Sequence, residues 1–201
     1  MKSSQKNQGM SMAATEKPSP SAAPVQRILA AARFAAEKHA QQKRKGVTGE
    51  PYLNHLIEVA ELIAASNDVL DTELVMAALL HDTVEDTGVT LAELEEHFGA
   101  DVAGLVAEVT DDKSLPKETR KRLQVQNAPK KSERAQTLKL ADKISNLRSI
   151  LASPPVGWNL ERKRQYFDWA KQVVDGLGSP NRFLKTEFDK TYQMISQLKE
   201  T

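Results

Sequence analysis

The spacing of apolar residues from Pro24 onward is the feature that most restricts how this chain can fold. These residues recur three and four positions apart, as on one face of an α-helix, and no stretch alternates apolar with polar residues as a half-buried strand does. Pro24 suits the first turn of a helix, and Asp71 or Thr72 suits a helix cap. Thr90–Glu93 has the pattern of a capping box. The sequence therefore predicts a single all-α domain of nine or ten helices over residues 24–201.

Composition limits the class of protein and its partners. Residues 1–23 are mostly Ser, Ala, Lys, Gln and Pro without periodicity, which predicts a disordered N-terminal tail. The net charge of only +1 argues against a dedicated nucleic-acid binder. No apolar run has membrane-spanning length, and the N-terminus lacks the continuous apolar segment of a signal peptide. We therefore expect a cytoplasmic protein with neither nucleic acid nor membrane as a partner.

The segment 77–87 ends an apolar run in four polar side chains, those of His81, Asp82, Glu85 and Asp86. The sequence predicts that they lie on one turn and a half of the same helix, where residues four apart project from nearly the same side, which pairs His81 with Glu85 and Asp82 with Asp86. An imidazole beside a carboxylate is half of a divalent metal site, and further carboxylates can hold and deprotonate a water. A solvated acidic helix end has the same composition, but the apolar run in front of it would bury charges that need a partner.

Two other stretches carry candidate ligands, and the absence of cysteine leaves only His, Asp, Glu, carbonyl or water to hold a metal. In the segment 139–148, Asp142 and Asn146 share one helix face, either as a solvated flank beside Lys143 or as a ligand with an orienting amide. In the segment 49–55, His55 follows a turn and lies just inside a helix. Taken alone, that histidine is more typical of a surface or helix-end contact.

Together these stretches resemble the His-Asp (HD) phosphohydrolase superfamily. Within it they resemble the hydrolase domain of RelA/SpoT homologues, most of all the stand-alone small alarmone hydrolases of the metazoan SpoT-homologue type. The resemblance covers about residues 25–184 and is carried by the segments 49–55, 78–87, 98–100, 108–113 and 139–148, with 157–158 and 166–170. One departure is Leu56, where the family usually has proline, and this affects the helix entry rather than a ligand.

The resemblance implies the HD-domain phosphohydrolase fold and a set of site residues. The implied metal ligands, usually for Mn²⁺ in the family, are His55, His81, Asp82 and Asp142. Glu85 and Asp86 match the acidic pair that positions and activates the attacking water.

Candidate substrate contacts surround this set. Four cations could contact phosphate, namely Arg44, Lys45, Lys117 and Arg120. The alternative is that they only form solvated faces. Asn146 and Tyr166 match positions that line the family's nucleotide pocket, although Tyr166 could instead be a core residue. His39 and His97 match no functional position and are predicted to be structural or surface residues.

The implied activity is Mn²⁺-dependent hydrolysis of the 3′-pyrophosphate of guanosine tetra- and pentaphosphate (ppGpp and pppGpp), giving GDP or GTP and pyrophosphate. A phosphatase that acts on another nucleotide with a 2′- or 3′-phosphate, such as NADPH, is an alternative with the same site. A non-catalytic, metal-stabilised module that senses nucleotides is an alternative from another class. Because the chain ends soon after the hydrolase pattern, we expect a stand-alone hydrolase without a synthetase domain.

Overall fold

A computed structural model describes residues 23–67 and 69–200, and these residues contain ten α-helices. In chain order the helices are α1 (Pro24–Lys38), α2 (Leu53–Ala65), α3 (Thr72–Leu80), α4 (Thr83–Thr87), α5 (Leu91–Phe98), α6 (Ala100–Val109), α7 (Lys117–Asn127), α8 (Glu133–Ala152), α9 (Leu160–Asp175) and α10 (Arg182–Gln193). Short 3₁₀ turns follow α7 and α10. The described residues contain no β-strand, only two isolated bridges, Lys43 with Pro51 and Gly46 with Pro155. The predicted all-α fold is confirmed, whereas residues 1–22 of the predicted tail lie outside the described residues.

Polar side chains begin several helices as the sequence indicates. Asp71 Oδ1 accepts from the backbone N–H of Leu74 at 2.9 Å and so caps α3. At the start of α5, Thr90 Oγ1 accepts from the N–H of Glu93 at 3.1 Å. Only this half of the predicted capping box forms, because the Glu93 carboxylate accepts instead from Lys38 Nζ at 2.8 Å. That contact ties α5 to the end of α1.

Helix α3 lies in the centre of the molecule. All of its residues from Leu74 to Leu80 are buried, and α1, α2, α6 and α8 pack around it. Burial of each Leu, Val or Met side chain in this run stabilises the folded state by about 1.5–3 kcal/mol. The apolar run therefore fixes the position at which the chain leaves α3, directly before His81.

No helix in the described part of the chain is long and apolar enough to span a membrane.

The predicted continuous helix through residues 81–86 is wrong. Helix α3 ends at Leu80 and α4 begins at Thr83, and Asp82 has a ψ of −2°, well away from helical values. In this turn the Asp82 carboxylate comes within 3.2 Å of Nε2 of its neighbour His81. Adjacent positions of a regular helix do not face each other, so the break is what brings these two side chains together.

Candidate metal centre and adjoining acid pair

Two buried imidazoles face one common point. His55, from α2, and His81, directly after α3, are only 3% and 5% exposed. His81 Nδ1 lies 2.8 Å from the carbonyl oxygen of Ala78, which can only accept, so this nitrogen carries the hydrogen. Nε2 of each ring is buried and has no hydrogen-bond partner among the described residues. Nε2 of His81 therefore points into the site and offers a lone pair there once its proton is removed, and His55 Nε2 is free to do the same.

Carboxylates of Asp82 and Asp142 surround these nitrogens. Asp82 Oδ2 lies 3.2 Å from His81 Nε2 and 3.7 Å from His55 Nε2. Asp142 Oδ1, from α8, lies 3.4 Å from His55 Nε2 and 3.8 Å from His81 Nε2. Metal–ligand bonds are about 2.0–2.2 Å long, so two atoms that bind the same ion are separated by less than twice that length. The nitrogen–oxygen distances in this cluster satisfy that limit. The four predicted ligands thus come together from three separate parts of the chain, and two imidazoles with two carboxylates could hold a divalent cation.

Neighbouring side chains hold both carboxylates in place. The Tyr52 hydroxyl donates to Asp82 Oδ2 at 2.5 Å. Lys143 Nζ donates to Asp142 Oδ2 at 3.0 Å, and Asn146 Nδ2 donates to Asp142 Oδ1 at 2.5 Å. Tyr52 is not among the predicted site residues. The available signal was its position in the segment 49–55, three residues before His55.

The charges of this cluster favour one added positive charge. Burial lowers the pKa of His55. Burial opposes protonation of His81 too, but the charges of Asp82 and Asp142 outweigh it and raise the His81 pKa to about 10. Burial would raise the pKa of Asp142, but Lys143 and the two imidazoles hold it well below its usual range. The carboxylates therefore stay ionised, and a proton on His81 competes with any cation at the same place.

Glu85 and Asp86 lie on the single turn of α4 and contact a different set of partners. Glu85 Oε2 accepts from the backbone N–H of Asp111 at 3.1 Å, and its Oε1 lies 3.3 Å from Lys113 Nζ. Asp86 accepts from Lys113 Nζ at 2.8 Å and from Gln42 Nε2 at 2.8 Å. Burial raises the pKa of Glu85, and the negative charge of Asp82 acts in the same direction. Neither Lys113 nor Gln42 is among the predicted site residues.

The predicted phosphate-binding cations lie in three places, and Arg44 and Arg120 occupy the first two. Arg44 lies near the metal centre, where it donates to Asn146 Oδ1 at 3.0 Å. Arg120 lies on the acid pair, with its guanidinium 3.6 Å from Glu85 Oε1. Arg44 and Asn146 therefore form a chain of hydrogen bonds that ends on the predicted ligand Asp142.

Lys45 and Lys117 belong to a separate group of cations. This group also includes Lys121 and Arg162, which the sequence did not suggest. Partial burial lowers the pKa of Lys117, and the nearby charges of Lys121, Arg162 and Lys45 lower it further. Mutual repulsion of this kind is relieved when an anion binds among the cations.

Tyr166 lies half-buried in an aromatic cluster beside these cations. Its ring centroid is 5.7 Å from that of Trp158 and 5.1 Å from that of Trp169, with Lys121 Nζ 5.9 Å away. Burial raises the pKa of Tyr166, and the charge of Asp142 raises it further, so the hydroxyl remains a donor at neutral pH. Tyr166 packs within the aromatic cluster, as a core residue does, and it also lies near Asp142, as a residue of the nucleotide pocket would. The two interpretations of Tyr166 are therefore compatible.

The two histidines without a predicted function differ in their surroundings. His97 is half-exposed, and its ring contacts Phe34 at a centroid distance of 5.3 Å, as expected of a structural residue. His39 is buried, and its Nδ1 lies 2.5 Å from Gln42 Oε1. His39 is therefore linked through Gln42 to the acid pair, a connection that no sequence pattern indicated.

Comparison with known proteins gives consistent matches over most of the chain. The HD domain family profile matches residues 31–166. The human protein named guanosine-3′,5′-bis(diphosphate) 3′-pyrophosphohydrolase MESH1 is 54% identical over 158 residues, which cover 79% of this chain and 88% of that protein. The protein of the same name from Xenopus tropicalis is 50% identical over 165 residues, covering 82% and 92%. A solved structure described as "A metazoan ortholog of SpoT hydrolyzes ppGpp and plays a role in starvation responses" aligns with a TM-score of 0.81 at 45% identity, covering 92% of this chain and 100% of that one.

Proposed function

The chain belongs to the HD domain family, and on this basis we propose that it hydrolyses the 3′-pyrophosphate of guanosine 3′,5′-bis(diphosphate), giving GDP and pyrophosphate. The guanosine pentaphosphate would give GTP by the same reaction. The observation that carries the proposal is the convergence of two buried imidazole nitrogens, which have no hydrogen-bond partner in the described part of the chain, with two ionised carboxylates beside an acid pair. The names of the similar proteins from human and Xenopus tropicalis support the choice of substrate.

The ion would be held by the four converging side chains, His55, His81, Asp82 and Asp142. Nitrogen and carboxylate donors without a thiolate suit Mn²⁺, which we propose as the ion. When bound, it supplies a Lewis acid for the phosphoryl oxygens.

Glu85 and Asp86 are proposed to orient the attacking water and to take its proton. Hydrolysis joins the water oxygen to phosphorus, breaks the bond from that phosphorus to ribose O3′, and requires a proton on the departing O3′. The raised pKa of Glu85 suits a group that accepts a proton near neutral pH and gives it up again. Before substrate binds, Lys113 contacts both carboxylates and offsets the repulsion between their negative charges.

The surrounding cations are proposed to bind the phosphates of the substrate. Arg44 is the candidate nearest the metal centre, and Lys45 with Lys117 forms the candidate group farther out. Asn146 and Tyr166 would contact the nucleoside, with Tyr166 presenting an aromatic face and a hydroxyl donor.

The test is an assay of the purified protein with guanosine tetraphosphate in the presence and absence of Mn²⁺, with GDP and pyrophosphate as products. Glu85→Gln and Asp86→Asn should each lower kcat by about 10²-fold, the scale expected for a lost general base. Both variants should retain the metal content of the parent protein. A parent protein that is inert towards guanosine tetraphosphate but removes phosphate from NADPH would transfer the proposal to that substrate, and inertness towards both would favour a non-catalytic binding module.

A further inference from the structure

A chain of two hydrogen bonds leads from His39 to the acid pair. His39 Nδ1 lies 2.5 Å from Gln42 Oε1, and Gln42 Nε2 donates to Asp86 Oδ2 at 2.8 Å. His39 itself is 3% exposed, and its ring stacks on that of Tyr52 with centroids 5.2 Å apart and planes inclined by 17°. Gln42 is thus attached to a buried ring on one side and to Asp86 on the other.

The acceptor at the end of this chain determines the direction of both bonds. An ionised carboxylate only accepts, so the amide of Gln42 must turn its NH₂ group to Asp86 and its oxygen to His39. His39 Nδ1 must then carry the hydrogen that it donates to Gln42. His39 Nε2 is buried without a hydrogen-bond partner among the described residues, which is compatible with a bare lone pair but not with a second N–H.

Asp86 is held from two sides by groups of different character. Lys113 is a flexible cation with 48% of its side chain exposed, and it also contacts Glu85. A polyanionic substrate attracts this ammonium and weakens its hold on Asp86. Gln42 carries no charge, so the substrate does not compete for it.

We propose that Gln42 is the positioning residue for Asp86, and that His39 fixes the orientation of the Gln42 amide. Together they keep the carboxylate in place when Lys113 turns towards the substrate. The kinetic consequence rests on the proposed function, whereas the tautomer of His39 does not.

Gln42→Leu tests the positioning role because leucine is similar in size but donates no hydrogen bond. We expect kcat to fall by about 10- to 100-fold, the range for lost supporting contacts and small misplacements. KM and bound Mn²⁺ should stay close to parent values, since the hydrogen bonds of the Gln42 side chain go to His39 and Asp86 and not to the four proposed ligands. Gln165→Leu is the matched control, because Gln165 Nε2 donates to the Glu161 carboxylate at 3.0 Å on the exposed face of α9. An unchanged kcat in folded Gln42→Leu would overturn the proposal.

Two substitutions of His39 separate hydrogen bonding from packing. His39→Phe keeps a ring that can stack on Tyr52 but cannot donate to Gln42. His39→Asn loses the ring but places an amide N–H near the position of Nδ1. We expect the Asn variant to retain most of kcat and the Phe variant to lose it as Gln42→Leu does, with His97→Phe as a control. The reverse ranking would mean that the ring stack is what matters, and would overturn the role of His39.

Imidazole ¹⁵N chemical shifts of His39 provide a readout that does not depend on activity. The protein, loaded with diamagnetic Mg²⁺, should show the Nδ1–H tautomer, and Gln42→Leu should alter the Nδ1 signal. If the parent protein is inert towards guanosine tetraphosphate yet shows this tautomer, the hydrogen-bond chain from His39 to Asp86 is supported and the proposed substrate is wrong. An Nε2–H tautomer overturns this hydrogen-bond chain whatever the activity.

Discussion

The phenolic hydroxyl of Tyr52 donates a hydrogen bond of 2.5 Å to Oδ2 of Asp82, the same oxygen that lies 3.2 Å from His81 Nε2. Burial and the charge of Asp82 raise the pKa of Tyr52, so the hydroxyl keeps its hydrogen over the whole working pH range. The hydrogen bond therefore fixes the rotamer of a proposed metal ligand without removing its charge.

Tyr52→Phe should weaken Mn²⁺ binding without unfolding the protein. Loss of a contact that orients a ligand typically lowers metal affinity by about 10- to 100-fold. Isothermal titration calorimetry measures the effect. Tyr192→Phe is the matched control, since Tyr192 donates to Asp168 at 2.9 Å on the exposed side of α9 and α10. Equal Mn²⁺ affinity in the two variants would show that Tyr52 does not support the metal centre.

Lys113→Met should move the acidic limb of the kcat–pH profile to higher pH. Burial raises the pKa of Glu85 and Lys113 opposes that rise, so removal of the ammonium leaves the pKa of Glu85 higher still. If Glu85 must be ionised to accept a proton, activity is then lost at a higher pH as the solution is acidified. Lys113→Arg keeps the charge and should keep the parent profile. A limb that stays in place, or moves to lower pH, contradicts the assignment of Glu85 as the base.

Mn²⁺ binding at neutral pH should release close to one proton. Asp82 and Asp142 outweigh burial and raise the pKa of His81 to about 10, so His81 is protonated at pH 7 until a metal replaces the proton. Affinity should rise with pH up to about that pKa, by roughly tenfold per unit, and fall as the pH is lowered. Calorimetric titrations in buffers of different ionisation enthalpy count the protons released. Binding heats that are the same in all buffers would show that His81 is neutral before the metal binds.

Gly46→Ala should impair substrate binding more than the chemical step. A Cβ at this position would lie 2.4 Å from the backbone oxygen of Ser153, so the loop that carries Arg44 and Lys45 must shift. We expect KM to rise by roughly tenfold, since a misplacement of about 1 Å can cost up to about 10²-fold. Gly104→Ala is the control, because its Cβ would meet nothing within 4 Å on α6. That variant should be more stable by about 0.5–1 kcal/mol with an unchanged KM.

The sequence predicted the helical class because periodicity is a local property that each segment carries by itself. It also pointed to His55, His81 and Asp142, but by resemblance of ordered motifs rather than by spacing, since nothing local indicates that α2, α3 and α8 meet. The break at Asp82 was missed because the apolar run before it continues the helical pattern. The side chains of His81 and Asp82 contact each other, and a regular helix does not allow such a contact between neighbours, so the helix is interrupted there despite the pattern.

Gln42 and Lys113 could not be found in the same way. Both lie in connecting segments, and both reach Asp86 across more than twenty residues of sequence. A glutamine after a helix and a lysine in a charged loop are each more typical of solvated surface. Their function depends on which carboxylate the fold places opposite them, and that relationship exists only in three dimensions.

The interruption between α3 and α4 places the two parts of the site on different supports. His81 is anchored by the central, packed α3, whereas Glu85 and Asp86 are on a helix of five residues, held by the Gln42 side chain from one loop and by the backbone N–H of Asp111 from another. Opening of so short a helix breaks few backbone hydrogen bonds and costs far less than opening the core. Substitutions of Gln42 or Lys113 can therefore alter the rate or timing of catalysis while the metal affinity stays the same. The same division would let related sequences diversify their chemistry around an unchanged metal centre.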